Sequence, residues 1–195
     1  MKIGIINYGA GNIQSVKFAV ERLGYSAELL SDSTELDKCD KIIFPGVGHA
    51  KPAMEKLRER NLDSYILNCK KPLLGICLGM QLLCKHSQEG DTACIGVFDV
   101  DVKKFEFKNL KVPHVGWNNI TDTKPVLFEN KDLENASVYF VHSYYVPVNK
   151  FSIANCIYGL EFSAALNKSN FFATQFHPEK SGGVGEMILK NFLGF

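Results

Sequence analysis

The chain has 195 residues, of which 46% are hydrophobic and 22% are charged, and its formal net charge is +1. These values are typical of one globular domain over residues 1–195, and the near-neutral balance excludes the charge pattern of proteins that bind nucleic acid or an anionic membrane surface. Because no apolar run approaches the roughly 20 residues that span a bilayer, and the N-terminus lacks a signal-peptide pattern, we expect a cytoplasmic protein.

The first half of the chain alternates short apolar runs with segments whose apolar residues recur at helical spacing. The runs predict strands over residues 2–7, 27–30, 41–44 and 72–76, and the periodic segments predict helices over 13–23, 51–60 and 62–70. This alternation is typical of an α/β fold with a parallel sheet and helices on both of its faces. In such folds the chemistry lies at the carboxyl ends of the strands.

The second half has shorter segments that are rich in Val, Phe and Tyr and are interrupted by Asn, Gly and Pro. It predicts antiparallel strands near 100–106, 137–141, 151–157 and 171–176, followed by a closing helix over 183–192. The whole chain is therefore predicted to form a three-layer α/β domain with a mixed, mostly parallel central sheet, flanked by helices, and with antiparallel strands in its second half.

The most informative segment surrounds Cys77, in the pattern Gly75-Ile-Cys-Leu-Gly79. A strand, a sharp turn and a helix in this order form a nucleophile elbow, which lifts the reactive atom above the end of the sheet. The following helix is predicted to begin at Leu78, so its free N–H groups and its dipole favour a thiolate at position 77. We expect this helix to extend to His86, where a cation would stabilise its C-terminal end.

A second segment, Gln175-Phe-His-Pro-Glu-Lys180, supplies a histidine and a carboxylate. Residues two apart in an extended chain point to the same side, so Glu179 is placed to contact the His177 ring, and Pro178 stiffens the pair. Alone, the His-Pro-Glu pattern more often marks a strand end with an exposed glutamate, and the cysteine pattern is evenly balanced between a structural and a catalytic meaning. Together, at two strand ends, they predict a Cys77–His177–Glu179 triad for acyl transfer.

Acyl transfer also needs preorganised N–H donors for the oxyanion that forms in the transition state. The elbow supplies the N–H of Leu78. A second donor is expected from the glycine-rich loop 45–48, which follows the strand predicted over 41–44.

Other chemistries are less well supported by the sequence. A redox cysteine usually has a resolving partner nearby, whereas Cys84 is predicted to lie two helical turns from Cys77. The six cysteines show neither a disulfide framework nor a Cys-x-x-Cys zinc pattern, so we expect no metal. The Gly9-Ala-Gly11 turn lacks the third glycine of a dinucleotide loop, so we favour an interface loop there over a nucleotide site. His114 and His142 have no carboxylate two residues on and are assigned structural or interface roles.

At this point a resemblance to the class I (triad) glutamine amidotransferases becomes clear, and more narrowly to the glutaminase subunits of imidazole glycerol phosphate synthase. The widely shared stretch is Gly75-Ile-Cys-Leu-Gly-Met-Gln81, and the narrower resemblance rests on Val112-Pro-His-Val-Gly-Trp-Asn118 together with Tyr139-Phe-Val-His-Ser-Tyr144. Similar stretches at 7–13, 44–48 and 175–181 extend the resemblance over essentially the whole chain.

The resemblance implies a role for each of the matching residues. Cys77 would attack the side-chain amide of L-glutamine, His177 would transfer the protons, and Glu179 would orient His177. The remaining implied roles are oxyanion donation by the backbone N–H groups of Val47 and Leu78, substrate binding by Gly48, Gln81, Ser143 and Tyr144, and contact with a partner subunit by Asn12, Trp117 and Tyr139.

The resemblance also implies that no cofactor or metal takes part and that the partner is a (β/α)₈-barrel synthase subunit in a heterodimer, which receives the ammonia. Two alternatives remain open on the sequence alone. One is a paralogous glutaminase that supplies a different synthase, for example one that amidinates a sugar. The other is a non-catalytic regulatory subunit of the same fold, against which the intact Cys77, His177 and Glu179 argue.

Overall fold

The computed structural model describes residues 1–9 and 13–194, which form strands and helices in the alternating order that the sequence predicts for its first half. The strands are β1 (Lys2–Ile6), β2 (Ser26–Leu30), β3 (Lys41–Gly46), β4 (Leu73–Cys77), β5 (Cys84–Ser87), β6 (Thr92–Ala93), β7 (Phe98–Lys104), β8 (His114–Asn119), β9 (Ser137–His142), β10 (Tyr144–Tyr145), β11 (Ser152–Tyr158), β12 (Leu160–Lys168) and β13 (Phe171–Thr174). The helices are α1 (Ile13–Arg22), α2 (Ser33–Leu36), α3 (Ala50–Glu59), α4 (Leu62–Asn68), α5 (Leu78–Leu83) and α6 (Gly182–Gly194), and short 3₁₀ turns occur at Lys131–Leu133 and Pro178–Lys180.

The central sheet has seven strands in the order β11–β12–β13–β4–β3–β1–β2. The pairs from β13 through β4, β3 and β1 to β2 are parallel, whereas β11, β12 and β13 pair antiparallel. The mixed, mostly parallel sheet predicted from the sequence is therefore confirmed, with its antiparallel strands drawn from the second half of the chain. Strands β3, β4 and β13 lie side by side, so the segments that follow them meet at one edge of the sheet.

Two layers cover the sheet because neighbouring residues of each parallel strand point to opposite faces. Ile43 and Leu74 belong to one buried cluster, with apolar residues of α1, α6 and the two-stranded sheet β8–β9. Ile42 and Leu73 belong to the other, with residues of α3, α4, α5 and the four-stranded sheet β10–β7–β5–β6. In the described ranges no helix is long and apolar enough to cross a membrane.

One predicted element is wrong in its extent. Helix α5 ends at Leu83, and the chain turns at once into strand β5, because Cys84 is extended and β5 pairs with β7. His86 consequently lies in a strand, where its Nε2 contacts Asp91 Oδ1 at 2.9 Å, and it does not stabilise a helix end. Helix α2 and strands β5, β6, β8, β10 and β12 have no counterpart among the predicted elements.

Candidate active site

Cys77 stands on a tight turn between β4 and α5, with backbone angles φ 53° and ψ −108°. A non-glycine residue in this region costs about 1–3 kcal/mol, and such strain is found at functional turns. The turn is held by close packing, since a Cβ at Gly79 would overlap the carbonyl oxygen of Phe44. Cys77 also pairs with Gly46 at the ends of β4 and β3. The predicted nucleophile elbow is therefore present as a strained strand–turn–helix with the cysteine at its apex.

His177 and Glu179 form the second part of the site. Nδ1 of His177 lies 2.7 Å from Oε1 of Glu179, and both side chains are only 3% exposed. The sequence predicts that the two side chains meet along an extended strand. In the structure β13 ends at Thr174, and Glu179 lies in the 3₁₀ turn Pro178–Lys180. The turn brings the carboxylate to the imidazole, so the predicted pairing is present through a different backbone path.

The electrostatics of this pair involve the cysteine. Burial alone would lower the pKa of His177, but the charge of a Cys77 thiolate, a hydrogen bond to that sulfur and the Glu179 carboxylate together raise it to about 10. His177 Nε2 is buried, and among the described residues it has no hydrogen bond of regular geometry. These contacts favour the imidazolium form of His177 beside the sulfur of Cys77.

A cavity of about 370 Å³ opens in front of Cys77 and His177. It contains all the positions to which the resemblance assigned oxyanion and substrate roles: Val47, Gly48, Leu78, Gln81, Ser143 and Tyr144. Gly48 has φ +100°, a conformation that glycine adopts at low cost, so the 45–48 loop turns sharply at the cavity wall. The structure thus brings together segments that are separated by about half of the chain.

The cavity also contains residues that the sequence reasoning missed. Glu89 is buried at its wall, where Oε2 accepts the Ala50 N–H at 2.8 Å and Oε1 lies 3.1 Å from Nδ1 of His49. In the sequence Glu89 stands beside Gly90 and reads as an exposed turn, so no local signal could have found it. His142, for which the sequence indicates only a structural or interface role, lines the cavity too.

The comparison with protein families decides what kind of protein carries this site. A family model described as "Glutamine amidotransferase class-I" matches residues 4–194. The chain belongs to the class-I glutamine amidotransferase family. The predicted resemblance is thereby confirmed at the level of the family, and the fold fits it.

Individual relatives agree with the assignment of this chain to the amidotransferase family. Imidazole glycerol phosphate synthase subunit HisH from Bacteroides fragilis (strain YCH46) is 53% identical over 195 residues, which cover 99% of this chain and 99% of that relative. The subunit of the same name from Buchnera aphidicola is 45% identical over 195 residues, with 99% of each chain covered. The solved structure of PurLQS from Thermotoga maritima has a TM-score of 0.75 at 16% identity and covers 99% of this chain and 97% of that one, which speaks for the fold alone.

Two of the three residues predicted to meet a partner subunit lie on strands β8 and β9, and the carbonyl oxygen of one of them, Tyr139, accepts the backbone N–H of His177. Trp117 and Tyr139 face each other across β8 and β9, with their ring centroids 6.0 Å apart, and Trp117 is 57% exposed. The third, Asn12, lies outside the described residues. Trp and Tyr are enriched in protein–protein interfaces relative to the rest of the protein surface.

The described part of the chain holds no group of three or more His, Cys, Asp or Glu side chains arranged to bind a metal ion. The cysteines at 39, 69, 77, 84, 94 and 156 are all free. Burial raises the pKa of the Cys84 thiol and raises that of Cys156 to about 12, so these two are protonated core residues. Cys77 is distinguished from them by the imidazole beside it.

Proposed function

We propose that this chain is the glutaminase subunit of an imidazole glycerol phosphate synthase, which hydrolyses L-glutamine to L-glutamate and ammonia in histidine biosynthesis. The observation that carries the proposal is the buried Cys77–His177–Glu179 arrangement at the wall of the cavity. The family match and the HisH relatives support the choice of substrate and pathway. We further propose that residues 1–195 form one amidotransferase domain and that it acts in the cytoplasm.

The reaction starts from a Cys77 thiolate beside a His177 imidazolium. The Cys77 thiolate attacks the side-chain amide carbon of glutamine, and a C–S bond forms as the carbonyl oxygen takes up the negative charge. The N–H groups of Val47 and Leu78 stabilise this oxyanion. When the C–N bond breaks, the His177 imidazolium gives its proton to the leaving nitrogen, and ammonia departs from a thioester.

Hydrolysis of the thioester regenerates the site. The His177 imidazole, now neutral, takes a proton from a water molecule, and the resulting hydroxide attacks the thioester carbon. The C–S bond breaks and restores the thiolate beside the imidazolium, and the new carboxylic acid gives its proton to water as glutamate is released. Glu179 holds Nδ1 of His177 throughout, which fixes the ring so that Nε2 faces the sulfur.

The cavity supplies groups for the rest of the substrate. Gly48, Gln81, Ser143 and Tyr144 surround the space in front of the sulfur and hold the glutamine. Glutamine also carries an α-ammonium group, which requires a negatively charged hydrogen-bond acceptor. The carboxylate of Glu89 lies in the same wall and, with the nearby backbone, provides this acceptor.

The ammonia is delivered to a partner subunit. Free ammonia would be mostly protonated in neutral water and would lose its nucleophilicity, so a closed passage into a docked synthase is required. We propose that the partner is a (β/α)₈-barrel subunit, that the two form a heterodimer, and that Asn12, Trp117 and Tyr139 contact it. The exposed Trp117 ring supports this placement.

The test is Cys77→Ser in the complex with the synthase that co-purifies with the chain. Glutamine-dependent synthesis should be lost, while synthesis from added ammonium salt should continue, because the synthase site is unchanged. Cys94→Ser, which alters a cysteine outside the cavity, is the matched control and should keep both activities. Glutaminase activity near that of the unmodified chain in Cys77→Ser would end the proposal, and co-purification of a different synthase would favour the paralogous alternative.

A further inference from the structure

Gln175 lies directly behind the reactive sulfur. It follows β13, is fully buried, and its backbone N–H donates to the Ala164 carbonyl at 2.8 Å. Its side-chain amide spans the space between Gln81 and Cys77: Oε1 lies 2.9 Å from Gln81 Nε2, and Nε2 lies 3.7 Å from Cys77 Sγ. Neither the triad nor the substrate-binding set includes this residue, although it contacts a member of each.

The orientation of the Gln175 amide is fixed by a backbone carbonyl. The carbonyl oxygen of Tyr144 can only accept hydrogen bonds, so the Gln81 atom 2.9 Å from it must be the NH₂ nitrogen. The second N–H of that group is then directed to Gln175, which must present its oxygen. The NH₂ group of Gln175 is thereby turned towards the sulfur of Cys77.

The same carbonyl also fixes two histidines. His142 Nδ1 lies 2.8 Å from the Tyr144 oxygen and must donate to it, so His142 Nε2 accepts from His114 Nδ1 at 3.0 Å. Burial lowers the pKa of His142 to about 3 and that of His114 to about 4, so both rings are neutral and each keeps one proton. The direction of every bond from His114 to Cys77 therefore follows from one acceptor, and no member is free to reverse alone.

Two groups compete for the sulfur of Cys77. When the thiol is protonated it donates to the carbonyl oxygen of Val141 at 3.7 Å, and this contact favours the neutral form. The Gln175 N–H group can only donate to the sulfur, so its contact favours the thiolate. The titratable groups that face Cys77 among the described residues are His177 and Tyr8, and His142 and Glu179 act on it through His177.

We propose that Gln175 is a further residue of the catalytic machinery, an N–H donor that stabilises the Cys77 thiolate and is held in its orientation by Gln81. The inference rests on the proposed role of Cys77 as the nucleophile. It gives a reason for the burial of the Gln175 side-chain amide behind Cys77, whose other proposed partners are His177 and Glu179. Because Gln81 also lines the substrate cavity, the same hydrogen bond connects the nucleophile to the substrate-binding wall.

The experiment measures the pH dependence of Cys77 alkylation by iodoacetamide in the full-length chain, with mass-spectrometric assignment of the labelled cysteine. Gln175→Met removes the donor at nearly constant volume, and Gln175→Glu replaces it with an acceptor of the same shape. In Gln175→Met the midpoint of the profile should move about one unit to higher pH, which corresponds to about 10-fold slower labelling on its acidic side. Gln175→Glu should move it further in the same direction, and in both variants kcat for glutamine hydrolysis should fall more than KM rises.

Two further variants separate donation from a structural role. Gln81→Met frees the Gln175 amide to rotate but leaves the N–H group present, so it should raise KM strongly and move the alkylation midpoint less than Gln175→Met. Asn68→Leu removes an exposed amide on α4 and should leave profile and kinetics unchanged. Thermal denaturation identifies a Gln175→Met protein that fails to fold, in which case Gln175→Glu decides the matter.

An alkylation profile of the folded Gln175 variants that superimposes on that of the unmodified chain would overturn the proposal. Failure of the underlying assignment looks different: complete alkylation of Cys77 in the unmodified chain would then leave glutamine hydrolysis intact. Loss of glutaminase activity in parallel with alkylation supports the role of Cys77 as the nucleophile. A shifted alkylation midpoint in the Gln175 variants supports the role of Gln175 as an N–H donor to the thiolate.

Discussion

Replacing Gly79 with alanine tests the close packing on which the elbow depends. Helix α5 lies so near β3 that the added Cβ would overlap the carbonyl oxygen of Phe44 and stand 3.0 Å from the carbonyl carbon of the same residue. Overpacking a core usually costs about 1–3 kcal/mol when side chains can give way. Here the obstacle is the backbone of β3, which is hydrogen-bonded on both sides by β1 and β4, so we expect a loss of about 3 kcal/mol or more in the free energy of unfolding.

The same substitution should impair catalysis, because α5 is the element that has to move. Displacement of α5 carries the Leu78 N–H and the Cys77 sulfur away from the cavity, and loss of one oxyanion donor alone lowers kcat by about 10²–10³. Urea denaturation measures the first effect and steady-state glutamine hydrolysis measures the second, both on purified Gly79→Ala. Unchanged stability together with unchanged kcat would refute the reasoning, since no repacking of side chains can remove a clash between Cβ and backbone.

The chain supplies a matched control for this substitution. Gly183 lies in α6, and a Cβ built there meets nothing within 4 Å. Because alanine is a better helix former than glycine by about 0.5–1 kcal/mol, Gly183→Ala should leave the stability unchanged or raise it by up to that amount. Opposite signs for the two glycine-to-alanine changes would attribute the loss at position 79 to contact with β3.

Two further predictions concern side chains near the nucleophile. Glu179→Gln should lower kcat by up to about 10⁴ with little change in KM. Because the carboxylate helps to raise the pKa of His177 to about 10, its removal should lower that pKa and move the alkaline limb of the kcat–pH profile to lower pH. An alkaline limb that does not move would contradict the pairing of Glu179 with His177. Tyr8→Phe should leave stability unchanged or raise it by about 1 kcal/mol, since the Tyr8 hydroxyl is buried with no hydrogen-bond partner among the described residues, and a clear loss in urea denaturation would show that the hydroxyl is bonded in solution.

The parts of the site that could be predicted are those encoded within a few residues. The elbow needs glycines at 75 and 79 around Cys77, and the pairing of His177 with Glu179 needs only a short turn, so both leave a local pattern in the sequence. Gln175 and Glu89 leave none. Their contacts depend on β13 lying beside β4 and on a buried turn that reaches the start of α3, which are properties of the folded chain.

The errors in the fold predicted from the sequence have similar physical causes. The apolar run Leu78–Leu83 continues into Cys84 without a glycine or proline, so local propensity does not reveal the end of α5; pairing of β5 with β7 overrides it. Strand β12 follows β11 after the single residue Gly159, which is shorter than the two-residue hairpin loops that sequence reasoning looks for. Strand β8 contains Gly116 and two asparagines, which are poor strand formers, and it is stabilised by pairing with β9.

Strand β9 contacts both Cys77 and His177. Its side chains alternate, with Val138, Phe140 and His142 buried, so its backbone is held firmly against the core. The carbonyl oxygen of Tyr139 accepts the backbone N–H of His177 at 2.9 Å, and the carbonyl oxygen two residues on accepts from the sulfur of Cys77 at 3.7 Å. Cys77 and His177, the nucleophile and base of the proposed reaction, are thus attached to nearby points of one strand, although they are far apart in the sequence. The exposed ring that packs against Tyr139 belongs to the neighbouring strand β8, so a force applied at that surface acts on the backbone that spaces the triad.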